Sequence, residues 1–139
     1  MIYLLDTNVL SEVMRARPDA SVKAWLVRLP IEAMGTATVC QAEILYGLRR
    51  LPEGARRVQL MEAAREMFSV TLGGRVLPFD EAAAELSSLL RVARERDGRP
   101  ILVQDAMIAA TARAHGMTIA TRDRDFQGCG VPVVDPWAG

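Results

Sequence analysis

The sequence is poor in the residues on which many catalytic and structural sites depend. Its 139 residues include one histidine, one lysine and two cysteines, and aromatic residues make up 5%. A single histidine gives no support for a catalytic triad, and two cysteines far apart in sequence form neither a zinc knuckle nor a C-x-x-C redox pair. We therefore expect Cys40 to be a reduced core thiol and Cys129 a reduced loop thiol.

An excess of one charge and long hydrophobic runs are also missing. Seventeen basic residues balance seventeen acidic ones, so no overall positive field attracts nucleic acid, although acids gathered around a metal ion would leave a more basic remainder. No uncharged run approaches the roughly 18 residues that a membrane span needs, and no secretory signal pattern is present. We expect a cytoplasmic protein with no membrane partner.

The residues that are present favour one folded α/β domain over residues 1–139. Half of them are hydrophobic and 24% are charged, with no internal repeat and no linker-like segment. Short apolar runs alternate with amphipathic segments, which predicts a mostly parallel sheet with helices on both faces.

The apolar spacing and the capping residues predict the individual elements. We predict strands at 2–5, 33–37, 75–79, 117–121 and 131–134, and helices at 7–15, 19–29, 53–68 and 80–98, with two further helices carrying Glu43 and Asp105. Thr38 is the predicted cap of the helix that carries Glu43. The predicted buried stripe of the 80–98 helix consists of Ala82, Leu86, Leu89, Leu90 and Ala93.

Four acidic residues lie where carboxylates are unusual. Asp6 and Asp123 each follow an apolar run, whereas Glu43 and Asp105 each interrupt an apolar helical face. Ligands of open α/β sheets bind outside the carboxyl ends of the strands, so both strand-end aspartates are expected at that edge. Each acid alone also has an ordinary explanation, such as a helix cap, a surface ion pair or a solvated turn.

One hypothesis covers all four positions together. Several carboxylates in a partly desolvated cleft repel each other strongly unless they are protonated or bound to a cation. Oxygen ligands without histidine or cysteine suit Mg²⁺ or Mn²⁺, which commonly engage phosphate oxygens. The pattern therefore favours metal-assisted phosphoryl chemistry.

Five short motifs carry a family resemblance. They are Leu4-Leu5-Asp6-Thr7-Asn8-Val9-Leu10, Ala42-Glu43-Ile44, Val103-Gln104-Asp105-Ala106-Met107-Ile108-Ala109-Ala110, Thr121-Arg122-Asp123-Arg124-Asp125-Phe126 and the closing Asp135-Pro136-Trp137. The first four, in this order, resemble the signature blocks of PIN domains. With the last, the chain resembles the FitB-like branch of the VapC toxins.

The resemblance implies a PIN-like three-layer α/β/α sandwich with about five strands. It implies an Mg²⁺- or Mn²⁺-dependent endoribonuclease that acts as the toxin of a type II toxin–antitoxin system. An RNA substrate, a cognate antitoxin and a homodimer are the implied partners. It carries Asp6, Glu43, Asp105 and Asp123 over as the catalytic acids, and Asp125 as a second candidate for the fourth position. Thr7, Asn8 and Thr121 match positions that orient the site.

The acids predict how such a site would act. Asp6, Asp105 and Asp123 would hold a metal ion, and Glu43 would hold a second ion or orient the attacking water. Arg122 and Arg124 either grip backbone phosphates or only balance the neighbouring aspartates.

Two other readings remain open from the residues. One is an inert PIN-fold module that only binds protein. The other is an aspartyl phosphotransferase of the haloacid-dehalogenase kind, which fits less well because Asn8 stands where that chemistry wants a second acid and Lys23 is the only lysine.

Overall fold

The computed structural model describes residues 1–138 as five short strands and six α-helices. The strands are β1 (Tyr3–Leu5), β2 (Met34–Ala37), β3 (Val76–Leu77), β4 (Thr118–Ala120) and β5 (Val133–Val134). The helices are α1 (Thr7–Val13), α2 (Ala20–Val27), α3 (Thr38–Arg49), α4 (Ala55–Glu66), α5 (Glu81–Arg96) and α6 (Val103–Ala114). A π-helical turn at Met67–Thr71 follows α4, and 3₁₀ turns lie at Ile31–Ala33, Arg124–Phe126 and Pro136–Ala138.

All five strands are parallel and form one sheet in the order β3-β2-β1-β4-β5. Leu4 of the central strand pairs with Gly35 on one side and with Ile119 on the other. Leu4 and Ile119 are fully buried, as expected for a parallel sheet covered by helices on both faces. The predicted α/β/α fold class with five strands is confirmed.

This strand order explains where the functional residues meet. Because β1 and β4 are neighbours and run in the same direction, Asp6 after β1 and Thr121 after β4 leave the sheet at the same edge. The helices α3 and α6 bring Glu43 and Asp105 to that edge from elsewhere in the chain.

Helix α5 is rotated from the predicted orientation. Its buried residues are Ala83, Ser87, Leu90 and Arg94, whereas Leu89 of the predicted stripe is 62% exposed. The buried face packs against α6. It includes Arg94, which the apolar pattern does not predict to be buried because arginine is charged.

One smaller prediction, the cap of α3, is wrong. Ala37 rather than Thr38 is the N-cap of α3, and the Thr38 hydroxyl instead accepts a hydrogen bond from the backbone N–H of Phe79 at 3.3 Å. Cys129 lies in a loop as expected but is buried like Cys40. Within residues 1–138, no helix has both the length and the apolar character to cross a bilayer.

Candidate active site

Asp6 lies at the point where the central strand meets the first helix. It is the N-cap of α1, and its Oδ1 accepts a hydrogen bond from the backbone N–H of Thr7 at 2.8 Å. Its Oδ2 accepts a second hydrogen bond from the Thr121 hydroxyl, also at 2.8 Å. The residue is only 5% exposed. The carboxylate is therefore held from two neighbouring strand ends.

Thr121 connects three parts of the site. Its hydroxyl oxygen accepts hydrogen bonds from Asn8 Nδ2 at 2.9 Å and from the backbone N–H of Asp123 at 3.0 Å, while it donates to Asp6. Thr121 is 1% exposed, so this network is shielded from solvent. The three predicted orienting residues, Thr7, Asn8 and Thr121, thus all contact the acids or each other.

Glu43 reaches the same place from α3. The Thr7 hydroxyl donates a hydrogen bond to Glu43 Oε2 at 2.8 Å. The surface ion pair that would explain Glu43 by itself is absent from the part of the chain that the structure describes, and Arg50, an arginine of the same helical region, does not pair with it. Arg50 instead lies over the Tyr46 ring at 5.4 Å.

Three aspartates form the other side of the site. Asp105 lies in the first turn of α6, and Asp123 caps the 3₁₀ turn at Arg124–Phe126 by accepting a hydrogen bond from the backbone N–H of Asp125 at 2.9 Å. One carboxylate oxygen from each of Asp105, Asp123 and Asp125 lies within 4.8 Å of the other two. Both candidates for the fourth acidic position therefore stand beside Asp105. We call these three residues with Asp6 and Glu43 the acidic cluster.

The electrostatics of the acidic cluster are unfavourable without a cation. Burial raises the pKa of Asp6 from its ordinary 3.8 to about 6; hydrogen bonds from Thr121 and Thr7 oppose the shift, and Glu43 and Asp123 add to it. Burial also raises the pKa of Asp105 to about 6, with further increases from Asp123 and Asp6. The carboxylates of the cluster therefore repel one another electrostatically.

The donor set fits a hard divalent ion. The cluster contains only oxygen donors, and the nearby Cys40 thiol, whose Sγ is 4.0 Å from Asp6 Oδ1, stays protonated because burial raises its pKa to about 12. The side-chain oxygen of Asn8 is buried and has no hydrogen-bond partner among the described residues. It belongs to the amide whose nitrogen contacts Thr121, so an unused acceptor lies beside the acids. Carboxylates with a free acceptor for a water ligand suit Mg²⁺ or Mn²⁺.

Arg94 is a residue of this region that was not predicted from the sequence. Its Nη1 donates hydrogen bonds to the backbone oxygen of Asp125 at 2.9 Å and to Cys129 Sγ at 3.2 Å, and its Nε donates to the backbone oxygen of Arg99 at 2.8 Å. The side chain is 5% exposed. A buried guanidinium thereby fixes the loop that carries two of the acids. The only signal in the sequence was its helical spacing from Ala83, Ser87 and Leu90.

Arg122 and Arg124 are both exposed. Within residues 1–138 the one ion pair is Arg15–Glu12, so neither arginine forms a salt bridge with Asp123 or Asp125. Arg122 lies over the Trp137 ring, with its guanidinium carbon 4.5 Å from the ring centroid.

A groove of about 590 Å³ adjoins the acidic cluster. It lies between α1, α3 and α4, and its apolar lining includes Met14, Ile44, Leu48, Leu51 and Leu60. Thr7 and Glu43 line the groove as well as the acidic site. Two arginines also line it, Arg56 and Arg15, of which Arg15 is paired with Glu12.

Known proteins share this sequence and architecture. The PIN domain family matches residues 3–130. A VapC ribonuclease of Sinorhizobium fredii is 38% identical over 98% of this chain and 98% of its own, and the toxin FitB of Neisseria gonorrhoeae is 38% identical over 98% and 99%. The crystal structure of FitAcB from Neisseria gonorrhoeae superposes with a TM-score of 0.90 at 37% identity, covering 98% of this chain and 99% of that one. The chain therefore belongs to the PIN-domain family and, within it, to the VapC and FitB toxins.

Proposed function

We propose that the protein is a metal-dependent endoribonuclease and the toxin of a type II toxin–antitoxin system. The observation that carries this proposal is the acidic cluster itself, in which four separate segments of the chain bring five carboxylates to one sheet edge. Such a cluster destabilises the folded protein unless a cation binds there. Relatives named as a VapC ribonuclease and as a toxin support the same activity.

Asp6, Asp105 and Asp123 would hold an Mg²⁺ or Mn²⁺ ion, with Asp125 able to contribute in place of Asp123. When bound, such an ion lowers the pKa of a water molecule and polarises the scissile phosphate. Thr7 and Thr121 keep the Asp6 carboxylate in one orientation through its two hydrogen bonds. Glu43, held by the Thr7 hydroxyl, is positioned to orient the attacking water. In-line attack would leave a 5′-phosphate and a 3′-hydroxyl.

A cognate antitoxin is the proposed protein partner, and a homodimer the proposed assembly. The apolar groove beside the acidic cluster suits an apolar segment of such a partner, and Glu43 within it suits a basic side chain. We also propose that residues 1–139 form a single domain and that the protein acts in the cytoplasm.

The inert protein-binding module is the second candidate, and the two differ in one assay. Purified protein is incubated with structured and single-stranded RNA in Mg²⁺ or Mn²⁺, and new RNA ends are mapped for the wild type, Asp6→Asn and the control Asp97→Asn. Asp97 is the exposed C-cap of α5 and is not a member of the acidic cluster. We expect cleavage by the wild type and the control, loss of at least a hundredfold in Asp6→Asn, and loss on chelation. Equal cleavage by all three proteins, or none by any, would contradict the proposal.

The phosphotransferase alternative predicts a different product. It requires a phosphoryl group on Asp6, but that carboxylate is 5% exposed and both of its oxygens already accept hydrogen bonds. We expect no hydroxylamine-sensitive acyl phosphate on Asp6 after incubation with phosphate donors, measured by mass spectrometry.

A further inference from the structure

We propose that Arg122 and Trp137 form a preorganised arm that binds a backbone phosphate of the RNA, with Trp137 as the positioning residue. The inference rests on the proposed nuclease function and identifies how this site holds its substrate. It starts from the stack between the two side chains, in which the guanidinium carbon lies 4.5 Å from the ring centroid.

The position of Arg122 in the chain makes it suitable for this role. It stands between Thr121, whose hydroxyl holds Asp6, and Asp123, whose carboxylate belongs to the acidic cluster. Its backbone is therefore adjacent to the acidic cluster, where the phosphates that flank a bound phosphodiester would also lie. Arg122 is also exposed and forms no ion pair with any residue between 1 and 138, so its charge is available to a ligand.

The stack leaves the binding groups of the arginine free. A guanidinium that stacks on an indole uses its flat face, while its N–H donors point outward in its own plane. Those donors match the spacing of two phosphate oxygens. Because the stack already limits the rotamers of the arginine, less conformational entropy is lost when a phosphate binds.

Trp137 is itself held in place. Its backbone N–H donates a hydrogen bond to Asp135 Oδ1 at 2.9 Å, and the 3₁₀ turn at Pro136–Ala138 packs against α2. The ring is half-buried against the hydrophobic core, so it forms a fixed surface for the arginine. The closing motif of the chain thus acts at the active site through Arg122.

Arg124 provides a matched control within the same loop. It is exposed and two residues away, but no aromatic ring lies under it among the described residues. If any positive charge in this loop were sufficient, the two arginines would contribute equally. Preorganisation by Trp137 predicts that Arg122 contributes more.

The test measures RNA affinity without turnover. A fluorescein-labelled single-stranded RNA of mixed sequence is titrated with Asp6→Asn protein, alone and combined with Arg122→Gln, Arg124→Gln, Trp137→Phe or Trp137→Leu. We expect Arg122→Gln to weaken binding about tenfold and to lower the salt dependence by about 0.7 in log–log slope. Trp137→Leu should weaken binding about threefold, Trp137→Phe less, and Trp137→Leu should add nothing once Arg122 is replaced.

Two further readouts separate positioning from a general loss of structure. In the active protein, Arg122→Gln should raise KM with little change in kcat. In a Trp25→Phe background, RNA should alter the fluorescence of Trp137, and Arg122→Gln should reduce that change. Melting curves report whether Trp137→Leu folds, and Trp137→Phe serves if it does not.

The outcomes distinguish this inference from the proposed function. If the wild type cleaves RNA while Arg122→Gln and Arg124→Gln bind it equally well, the phosphate arm is wrong and the nuclease proposal stands. Additive effects of Arg122→Gln and Trp137→Leu would also overturn the role of the stack. If the Asp6→Asn parent does not bind RNA and the wild type does not cleave it, both proposals fail together.

Discussion

At the scale of a single residue, the environment of Asp6 has opposing effects on the ionisation of its carboxyl group. It caps α1 and accepts a hydrogen bond from Thr121, which favours its charged form, yet burial and neighbouring acids raise its pKa to about 6. The folded protein therefore holds this proton at pH values where the unfolded chain has released it. Such a group makes the metal-free protein less stable as the pH rises from about 4 to above 6.

This imbalance gives a prediction for stability in the absence of metal. The free energy of unfolding should fall between pH 4 and pH 7, because the folded state binds more protons than the unfolded state in that range. Asp6 alone contributes up to about 3 kcal/mol to the decrease. Asp6→Asn should remove much of the slope and stabilise the metal-free protein at pH 7 by about 1–2 kcal/mol. Urea unfolding in EDTA at several pH values measures both, and a flat profile for the wild type would contradict the assignment.

Arg94 shows the reverse situation, a buried cation satisfied by neutral acceptors. Arg94→Met would leave the backbone oxygens of Asp125 and Arg99 without their donors. We expect a loss of about 2–4 kcal/mol in the free energy of unfolding. Arg91→Met is the matched control, since Arg91 is exposed on the same helix and should change stability by less than about 0.5 kcal/mol. Similar losses of stability in the two variants would show that the hydrogen bonds of Arg94 do not stabilise the fold.

Helix α5 illustrates what can be predicted at the scale of an element. Its start at Asp80 and its end before Gly98 follow from local capping rules, and the structure agrees, with the helix at Glu81–Arg96. The rotation of the helix was not predicted. Whether the face with Leu89 or the face with Arg94 is buried depends on contacts with α6 and on the hydrogen bond that the backbone oxygen of Asp125 accepts from Arg94. Capping is local information, whereas burial of a charge depends on distant partners.

The cap of α5 can be tested directly. Asp80 Oδ1 accepts a hydrogen bond from the backbone N–H of Ala83 at 3.0 Å. Asp80→Ala should cost about 1 kcal/mol in the free energy of unfolding, whereas Asp80→Asn keeps the acceptor and should cost clearly less. Chemical denaturation of the three proteins measures the difference. Equal losses in Ala and Asn variants would mean that charge, rather than the hydrogen bond, stabilises this end.

At the scale of the whole molecule, the acidic cluster depends on the strand order. Residues at strand ends and on helical faces could be predicted from the sequence because their neighbours in the chain determine those positions. The contacts that orient them, such as Thr121 with Asp6 or Arg122 with Trp137, join segments that only the tertiary fold brings together. No local pattern encodes such pairs.

A bound cation should stabilise the molecule as a whole. At a concentration about a hundredfold above its Kd, Mn²⁺ should raise the melting temperature by about 5–10 °C at pH 7.5. The shift should be smaller at pH 5, because protons then compete for Asp6 and Asp105, whose pKa values are about 6. Calorimetry of the wild type, Asp6→Asn and Asp97→Asn measures this. A shift that persists in Asp6→Asn would mean that the ion binds elsewhere.

The pairing of the first strand with the fourth has a consequence for biosynthesis. β1 is translated well before its partner Thr118–Ala120 and before the threonine that holds Asp6. A nascent chain cannot complete the centre of its sheet until β4 has been translated. The acidic cluster, in which Thr121 holds Asp6, therefore cannot assemble on a nascent chain before the residues that follow β4 have been translated.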